Sequence, residues 1–243
     1  MSTNHYTMFC LPPAGCSANI YFPWKKKVAP HCQVVALEYP GHGTKLSKAL
    51  VHDVSTLAEQ LVNDMVAHCT QDFILFGHSL GGGLVFAMIE RLKSLGMLHQ
   101  LKLVVISCRP APEYSEHIVS KHVRTDEEML AELKKYDYLP EAILNNPSLL
   151  AFCLKLLRHD FSLSDQLIQH PPQKIDLPLL AIYGNADPDL PEADFIQAWQ
   201  HYSSQWQGAY AVPGDHFYFR NEDSLMAMLH HVEYIFNQQT VAS

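Results

Sequence analysis

The sequence predicts an α/β protein with a mostly parallel sheet that is covered by helices on both faces. Short apolar runs typical of buried strands alternate with segments in which apolar residues recur at helical spacing. The chain has 243 residues, which is enough for one such domain with a full core. No internal repeat or linker divides it, so we expect a single domain over residues 1–243.

Six strands and four helices account for this alternation. The predicted strands are Tyr6–Leu11, Gln33–Leu37, Phe73–Phe76, Lys102–Ile106, Leu179–Tyr183 and Ala209–Val212. The predicted helices are Ser55–Cys69, Leu84–Leu95, Glu192–Tyr202 and Ser224–Asn237. The third strand is a short apolar run ended by glycine, and the helix after it repeats apolar residues three and four apart. Strands that alternate with helices in this order are typical of parallel pairing.

The third predicted strand runs directly into a serine between glycines. Gly77-His78-Ser79-Leu80-Gly81 fits G-x-S-x-G, the motif of a strained strand-to-helix turn that presents a nucleophilic serine. The strand before it and the helix after it are the flanks that this motif requires. In such a turn the Leu80 N–H points toward a developing oxyanion, where the helix dipole favours negative charge. The alternative interpretation is a glycine-rich turn with an idle serine.

A serine hydroxyl is a poor nucleophile at neutral pH, so Ser79 needs a general base and a carboxylate that orients this base. In the chain order of this motif the carboxylate precedes the histidine. Asp187 follows the fifth strand in a loop, with Asp189 as the competing carboxylate, and His216 follows the sixth strand. The other downstream histidines fall within helical patterns, where a surface or core role explains them better. They are His201, His230 and His231.

The loop after the first strand is where such a site takes its second oxyanion donor. Leu11-Pro12-Pro13-Ala14-Gly15-Cys16-Ser17 occupies this place, and the Ala14 N–H is our candidate beside the Leu80 N–H. A plain proline-glycine turn is the alternative. No base is paired with Cys16 in the sequence, so we interpret its thiol as filler rather than as a nucleophile.

Residues 109–176 break the alternation, because they contain several helical patterns and no convincing strand. Thr125 and Glu128 form a capping box at the start of one helix, and a second helix follows Pro147. An insertion after the fourth strand would lie over the carboxyl ends of the strands, where α/β sheets bind ligands. We expect a helical lid insertion within the domain; the alternative is an appendage that completes the core.

Composition excludes several classes of partner and cofactor. The formal net charge of −8 opposes non-specific nucleic-acid binding. No apolar stretch approaches the roughly 18 residues of a spanning helix, and the first residues lack the features of a signal peptide, so we expect a cytoplasmic protein without membrane association. Six cysteines without C-x-x-C spacing indicate reduced thiols. Fifteen histidines without H-E-x-x-H spacing predict no metal site.

Together these motifs resemble the type II thioesterases that accompany nonribosomal peptide and polyketide synthases in antibiotic and siderophore biosynthesis. The resemblance spans the chain, and its segments are Leu11–Gly15, Tyr39–Gly43, Gly77–Gly82, Ser107–Pro112, Leu157–Phe161 and Gly214–Phe217. It implies an α/β-hydrolase fold with a helical lid and a triad of Ser79, Asp187 and His216. The implied substrate is an acyl thioester on the phosphopantetheine arm of an acyl- or peptidyl-carrier protein, and the implied enzyme is a monomer.

Two residues depart from the family pattern. Cys16 stands where a second glycine is usual, which leaves the shape of the oxyanion loop open, and His42 stands where an arginine is common, which affects only a loop contact. The chemistry needs no cofactor, since Ser79 can attack a thioester carbonyl and His216 can then activate water against the acyl-serine. The same residues could cleave oxygen esters. A small-molecule carboxylesterase or acyltransferase is therefore the second hypothesis, and a catalytically idle scaffold is the third.

Overall fold

Six parallel strands form the centre of the fold in the computed structural model, which describes residues 5–69, 71–118, 120–136, 139 and 141–241. Their order across the sheet is β2-β1-β3-β4-β5-β6, and each neighbouring pair is parallel. The strands are β1 (Tyr6–Leu11), β2 (Cys32–Ala36), β3 (Phe73–His78), β4 (Leu101–Ser107), β5 (Ile175–Gly184) and β6 (Ser203–Val212). The predicted α/β class and all six predicted strands are thus confirmed.

Helices cover both faces of this sheet. The α-helices of the described residues are α1 (Val54–Val66), α2 (Leu80–Ser94), α3 (Asp126–Lys135), α4 (Glu141–Leu144), α5 (Pro147–Gln169), α6 (Asp194–Gln197) and α7 (Glu222–Val241). The helix α2 begins four residues before the predicted start, because its first turn is made of glycines that carry no apolar signal. The predicted helix Glu192–Tyr202 is instead α6 followed by a tighter 3-10 helix, Ala198–Tyr202.

Alternate residues of each strand point to opposite faces, so each strand contributes to two cores. On one face Phe9 and Leu75 pack with α1 and α2. On the other face Met8 and Ile74 pack with α7 and with a 3-10 helix, Ala18–Lys26, that carries Trp24. Among the described residues no helix is both long enough and apolar enough to span a membrane.

The interval between β4 and β5 is helical, as its sequence predicts. Three 3-10 turns lead to α3, whose start has the predicted capping box of Thr125 and Glu128. The helix α5 begins at Pro147 as predicted, and Leu154 and Leu157 on it pack against α3. The described residues from 109 to 174 contain no strand. The strand β5 starts at Ile175, slightly before the predicted end of the insertion at residue 176.

The turn between β3 and α2 brings backbone into direct contact with backbone. A Cβ atom on Gly77 would lie 2.2 Å from the Gly81 carbonyl oxygen, and one on Gly81 would lie 2.4 Å from the Leu11 carbonyl oxygen. No side chain fits at either distance. The glycines therefore place the end of β1, and the loop that follows it, against the first turn of α2.

Gly81→Ala is expected to lower the free energy of unfolding by about 3 kcal/mol or more, because the new methyl group cannot avoid the Leu11 carbonyl. Gly96→Ala is the matched control. Gly96, unlike Gly81, has a positive φ of 70°, but no atom lies within 4 Å of its added Cβ, so we expect a loss of only about 1 kcal/mol from the backbone strain. Urea unfolding of both variants measures the difference. Equal losses would contradict the steric account.

Candidate active site

Ser79 lies at the apex of the turn between β3 and α2. Its backbone angles are φ 53° and ψ −113°, a conformation that L-residues rarely adopt and that marks local strain. The turn is held by the Ser79 N–H, which donates to the Ser107 carbonyl at 2.8 Å, and by the Gly82 N–H, which donates to the Ser79 carbonyl at 2.9 Å. A helix leaves its first N–H groups without acceptors inside the helix. The Leu80 N–H, at the first position of α2, thus lies directly beside Ser79.

His216 and Asp187 form a buried hydrogen-bonded pair. The His216 Nδ1 donates to Asp187 Oδ2 at 2.8 Å, and both side chains are nearly inaccessible to solvent. The second carboxylate oxygen, Asp187 Oδ1, accepts the Asp189 N–H at 2.9 Å. Because Nδ1 carries the proton in this arrangement, Nε2 is the nitrogen left to accept one. This is the tautomer and orientation that a histidine base requires.

The competing carboxylate, Asp189, lies within 4.8 Å of the His216 ring but hydrogen-bonds a different group. Its Oδ1 accepts the Tyr136 hydroxyl at 2.9 Å and lies 3.5 Å from the Lys121 Nζ. The other downstream histidines make contacts elsewhere. His201 contacts Glu113 at the surface, His231 stacks on Tyr210, and His230 is exposed. The geometry favours Asp187 and His216 over these alternatives.

The loops that carry the pair are joined backbone to backbone. The Asn185 N–H donates to the Val212 carbonyl at 2.9 Å, and the Ala186 N–H donates to the Gly214 carbonyl at 2.8 Å. A Cβ atom on Gly184 would lie 2.1 Å from the Asp215 carbonyl oxygen, so only glycine permits this approach. The position of His216 relative to Asp187 is therefore set by contacts between the ends of β5 and β6.

The electrostatics of the pair raise the pKa of His216 above its ordinary value. Burial lowers the pKa of His216, but the charge of Asp187, its hydrogen bond and the charge of Asp189 raise it by more, so the net shift is upward. Burial raises the pKa of Asp187, and His216 lowers it by more. Each partner thus stabilises the charged form of the other.

The oxyanion loop is a closed turn that rests on α5. The Cys16 N–H donates to the Pro13 carbonyl at 3.2 Å, and Gly15 takes a left-handed conformation with φ 72°. The Gly15 N–H donates to Asp160 Oδ2 at 2.7 Å. Cys16 is buried without a positive φ, so the missing second glycine does not alter the course of the turn. Ala14 and Ser79 line the same cavity.

Asp160 is a buried carboxylate that sequence reasoning did not single out. Besides the Gly15 N–H it contacts His42 Nε2 at 3.0 Å and His159 Nδ1 at 2.9 Å. His42 Nδ1 lies 3.1 Å from the Pro40 carbonyl, so both of its ring nitrogens face acceptors and the doubly protonated ring fits best. The one available signal was a charged residue on the apolar stripe of a helix, three residues after Leu157.

The pKa values of this cluster agree with an ion pair. Burial raises the pKa of Asp160, but hydrogen bonds from His159, His42 and the Gly15 N–H lower it by more. Burial lowers the pKa of His42, and Asp160 raises it by more. His42 therefore does more than make the loop contact that the sequence indicated. It serves as a buried cation beside Asp160, at a position where an arginine is common in the type II thioesterases that the sequence resembles.

A cavity of about 60 Å³ surrounds Ser79. Its wall includes Ala14 of the oxyanion loop, His216 and the Phe217 ring. Helices and turns between β4 and β5 supply the rest, including Tyr136 and Phe161. The structure thus brings all five predicted site residues to the carboxyl edge of the sheet, with Ser79, Leu80, Ala14 and His216 in the cavity wall and Asp187 behind His216.

Two groups of potential metal ligands share His216 in the described part of the chain. One is His78, Cys108 and His216, and the other is Asp187, Asp189 and His216. The pairing of His216 with Asp187 competes with ligation in both groups. In the first group burial raises the pKa of the Cys108 thiol, which disfavours the thiolate that a metal would need.

Residues 6–236 match the model of the thioesterase domain family. The chain belongs to this family. A thioesterase relative, the probable cadicidin biosynthesis thioesterase of Streptomyces griseus, is 27% identical over 211 residues, which are 87% of this chain and 57% of that protein. AMB antimetabolite synthetase AmbE of Pseudomonas aeruginosa is 31% identical over 203 residues, but these are 82% of this chain and only 9% of AmbE.

The fold of this chain is also found in solved structures. The type II thioesterase BorB from the borrelidin biosynthetic cluster superimposes with a TM-score of 0.79 and 29% identity, over 96% of this chain and 93% of BorB. This likeness confirms the predicted α/β-hydrolase fold and the predicted family resemblance.

Asp160→Asn is expected to destabilise the protein by about 3–5 kcal/mol, because it removes the charge that buried His42 requires. The Asp160 contribution is present above about pH 4 and is lost as the pH falls through its lowered pKa. The His42 contribution is present below about pH 6.5 and is lost as the pH rises through its raised pKa. We therefore expect the largest difference between these two pH values.

Denaturant unfolding across pH measures this difference, with Asp176→Asn as the control. Asp176 is an exposed carboxylate that hydrogen-bonds Ser204, and its loss is expected to have little effect on stability at any pH. A pH-independent loss in Asp160→Asn would argue against the ion pair.

Proposed function

We propose that this protein is a type II thioesterase that hydrolyses acyl groups from phosphopantetheinyl carrier proteins of a nonribosomal peptide or polyketide synthase. The observation that carries the proposal is the 2.8 Å hydrogen bond between His216 and Asp187 beside the strained Ser79, within a chain of the thioesterase domain family. Relatives named for cadicidin and borrelidin biosynthesis support the class of pathway.

In the proposed first step Ser79 Oγ attacks the thioester carbonyl carbon while His216 Nε2 takes the hydroxyl proton. The Leu80 and Ala14 N–H groups donate to the oxyanion of the tetrahedral intermediate. The carbon–sulfur bond then breaks, and His216 returns the proton to the departing sulfur. A thiol has a pKa of about 8.5, so its departure requires little acid assistance.

Water completes the proposed cycle. His216 takes a proton from a water molecule, the hydroxide oxygen attacks the acyl-serine carbonyl, and the ester bond to Ser79 breaks with the proton going to Oγ. The products are the free acid and the unmodified enzyme. No cofactor takes part in either half of this scheme.

The proposed lid is residues 109–176 within the single domain. Tyr136 of this interval and Leu157 of α5 line the cavity, so the interval covers Ser79. Arg158 donates to the carbonyls of His122 and Arg124 at 2.7 and 2.6 Å, which ties the 3-10 turns to α5. Such a cover leaves a narrow approach that suits a long flexible arm.

Asp187→Asn is expected to lower kcat by about 10⁴, because the amide cannot hold His216 in its working tautomer. Asp189→Asn is the control, and a loss of less than about tenfold is expected because Asp189 faces Tyr136 and Lys121. Hydrolysis of an N-acetylcysteamine thioester provides the measurement. A larger loss in the control would transfer the orienting role to Asp189.

The pH profile of the wild type follows from the same pair. His216 must be neutral to act as base, and its raised pKa places the acid limb of kcat/KM above about pH 6.5. Loss of the Asp187 charge in Asp187→Asn moves this limb to lower pH. An acid limb that stays in place would show that another group controls it.

The substrate class is tested by comparing hydrolysis of one short acyl group from three different leaving groups. We expect higher kcat/KM with acyl-holo-carrier protein than with acyl coenzyme A or a p-nitrophenyl ester, because docking of the folded carrier adds binding energy that the others lack. Ser79→Ala should lose activity by about 10⁴ or more while it still binds the carrier. A preference for the oxygen ester over every carrier tried would favour the carboxylesterase alternative.

A further inference from the structure

A second, larger cavity lies behind the catalytic one. Its volume is about 850 Å³, against about 60 Å³ around Ser79, and it runs between α1, α2 and the end of α5. Its inner wall is apolar and includes Phe86, Leu167 and Trp199. Glu59 and Arg91 form an ion pair at 2.9 Å at its solvent-exposed side.

Arg109 and Pro110 are the residues that line both cavities, and they therefore form the wall between them. The Arg109 side chain is almost fully buried. It spans the gap from α2 to α5, since its Nη1 lies 3.4 Å from the Ser79 carbonyl and 3.3 Å from the Ser164 Oγ. Its main-chain carbonyl accepts the Trp199 indole N–H at 2.8 Å, which anchors the backbone.

The wall is tightly packed against the first turn of α2. A Cβ atom on Gly83 would lie 3.0 Å from the guanidinium carbon and Nε of Arg109 and 2.8 Å from the Leu167 Cδ1. Gly83 therefore provides the space that the guanidinium fills. Burial lowers the pKa of Arg109 to about 10, so the side chain remains charged at neutral pH in this desolvated place.

Both side-chain hydrogen bonds of Arg109 are long. At 3.3 and 3.4 Å they lie beyond the usual 2.7–3.2 Å range of an N–H donor, so they add little to offset the cost of burying a cation. The charge of Asp165 offsets part of this cost. The packed volume of the Arg109 side chain is what separates the two cavities.

We infer that Arg109 sets the acyl-chain length that the enzyme accepts, and that the larger cavity takes the distal part of a longer chain when this wall is opened. This inference rests on the proposed thioester hydrolysis. The space at Ser79 is less than a tenth of the volume of the larger cavity, so with the wall in place we expect the enzyme to favour a short acyl group.

The larger cavity has the chemistry of an acyl-chain site once the wall is removed. Phe86 and Trp199 stack at 5.3 Å and present an apolar surface directly behind Arg109. Each methylene that such a surface covers changes the ratio of kcat/KM between two chain lengths by about tenfold or more. Octanoyl is six carbons longer than acetyl, so we expect the longer chain to depend far more on the space behind Arg109.

The test is a chain-length series of N-acetylcysteamine thioesters from acetyl to decanoyl, assayed with wild type, Arg109→Ala and Arg109→Met. The measured quantity is the ratio of kcat/KM for octanoyl to that for acetyl. We expect Arg109→Ala to raise this ratio by about tenfold to a hundredfold. Arg109→Met keeps most of the volume without the charge, so we expect its ratio to stay within about threefold of wild type.

Leu167→Ala removes the side chain that packs beside the Arg109 guanidinium on the larger-cavity side and changes no charge, so it keeps the test informative if Arg109→Ala does not fold. We expect it to shift the ratio in the same direction. An unchanged ratio in a folded Arg109→Ala or Leu167→Ala enzyme would overturn the inference. An equal shift in Arg109→Met would also overturn it, because the charge rather than the volume would then control selectivity.

These outcomes are separable from failure of the proposed function. The acyl series uses no carrier protein, so a wild type that hydrolyses the thioesters but ignores carriers would refute only the proposed partner. A wild type that hydrolyses no thioester would refute the proposed function and the inference with it. A structure of Arg109→Ala with a long alkyl phosphonate on Ser79 should place the alkyl chain beside Phe86.

Discussion

The site depends on one constraint, the direct contact between main-chain segments at glycines around Ser79. Because Gly81 touches the Leu11 carbonyl, the loop after β1 is held at the start of α2. This contact holds the loop that carries Ala14 against the start of α2, and Ala14 and Leu80 line the same cavity. Strain at Ser79 is sustained because the surrounding backbone leaves the turn no other course.

The same principle operates on the other side of the site. The approach of Gly184 to Asp215 joins the loops after β5 and β6, so His216 meets Asp187 through main-chain geometry. Two backbone contacts, one on each side of Ser79, thus define the relative positions of Ser79, the loop after β1 and His216. Pre-organisation of this kind lowers the reorganisation that a developing oxyanion would otherwise require.

Asp160 connects this framework to the helices above it. Its carboxylate receives the Gly15 N–H and two imidazole rings, so the middle of α5 is bonded to the oxyanion loop. A lid movement that preserved this loop would therefore have to involve α3 and α4 rather than the middle of α5. The long bonds of Arg109, by contrast, leave the wall between the cavities bound mainly by packing.

The sequence by itself determined the class of fold, the six strands, the elbow around Ser79 and the family. These features are local: an apolar run, a glycine-flanked serine and a helical period are each written in a few consecutive residues. Even there it misplaced the start of α2, since glycines give no periodic signal.

Only the tertiary structure decided which distant groups meet. The sequence favoured Asp187 over its neighbour Asp189, but only the structure shows that Asp187 hydrogen-bonds His216 while Asp189 accepts the Tyr136 hydroxyl. Asp160 and His42 are 118 positions apart, and nothing in either segment indicates their contact. The wall at Arg109 is likewise a property of the space between two helices, which no spacing along one chain segment can encode.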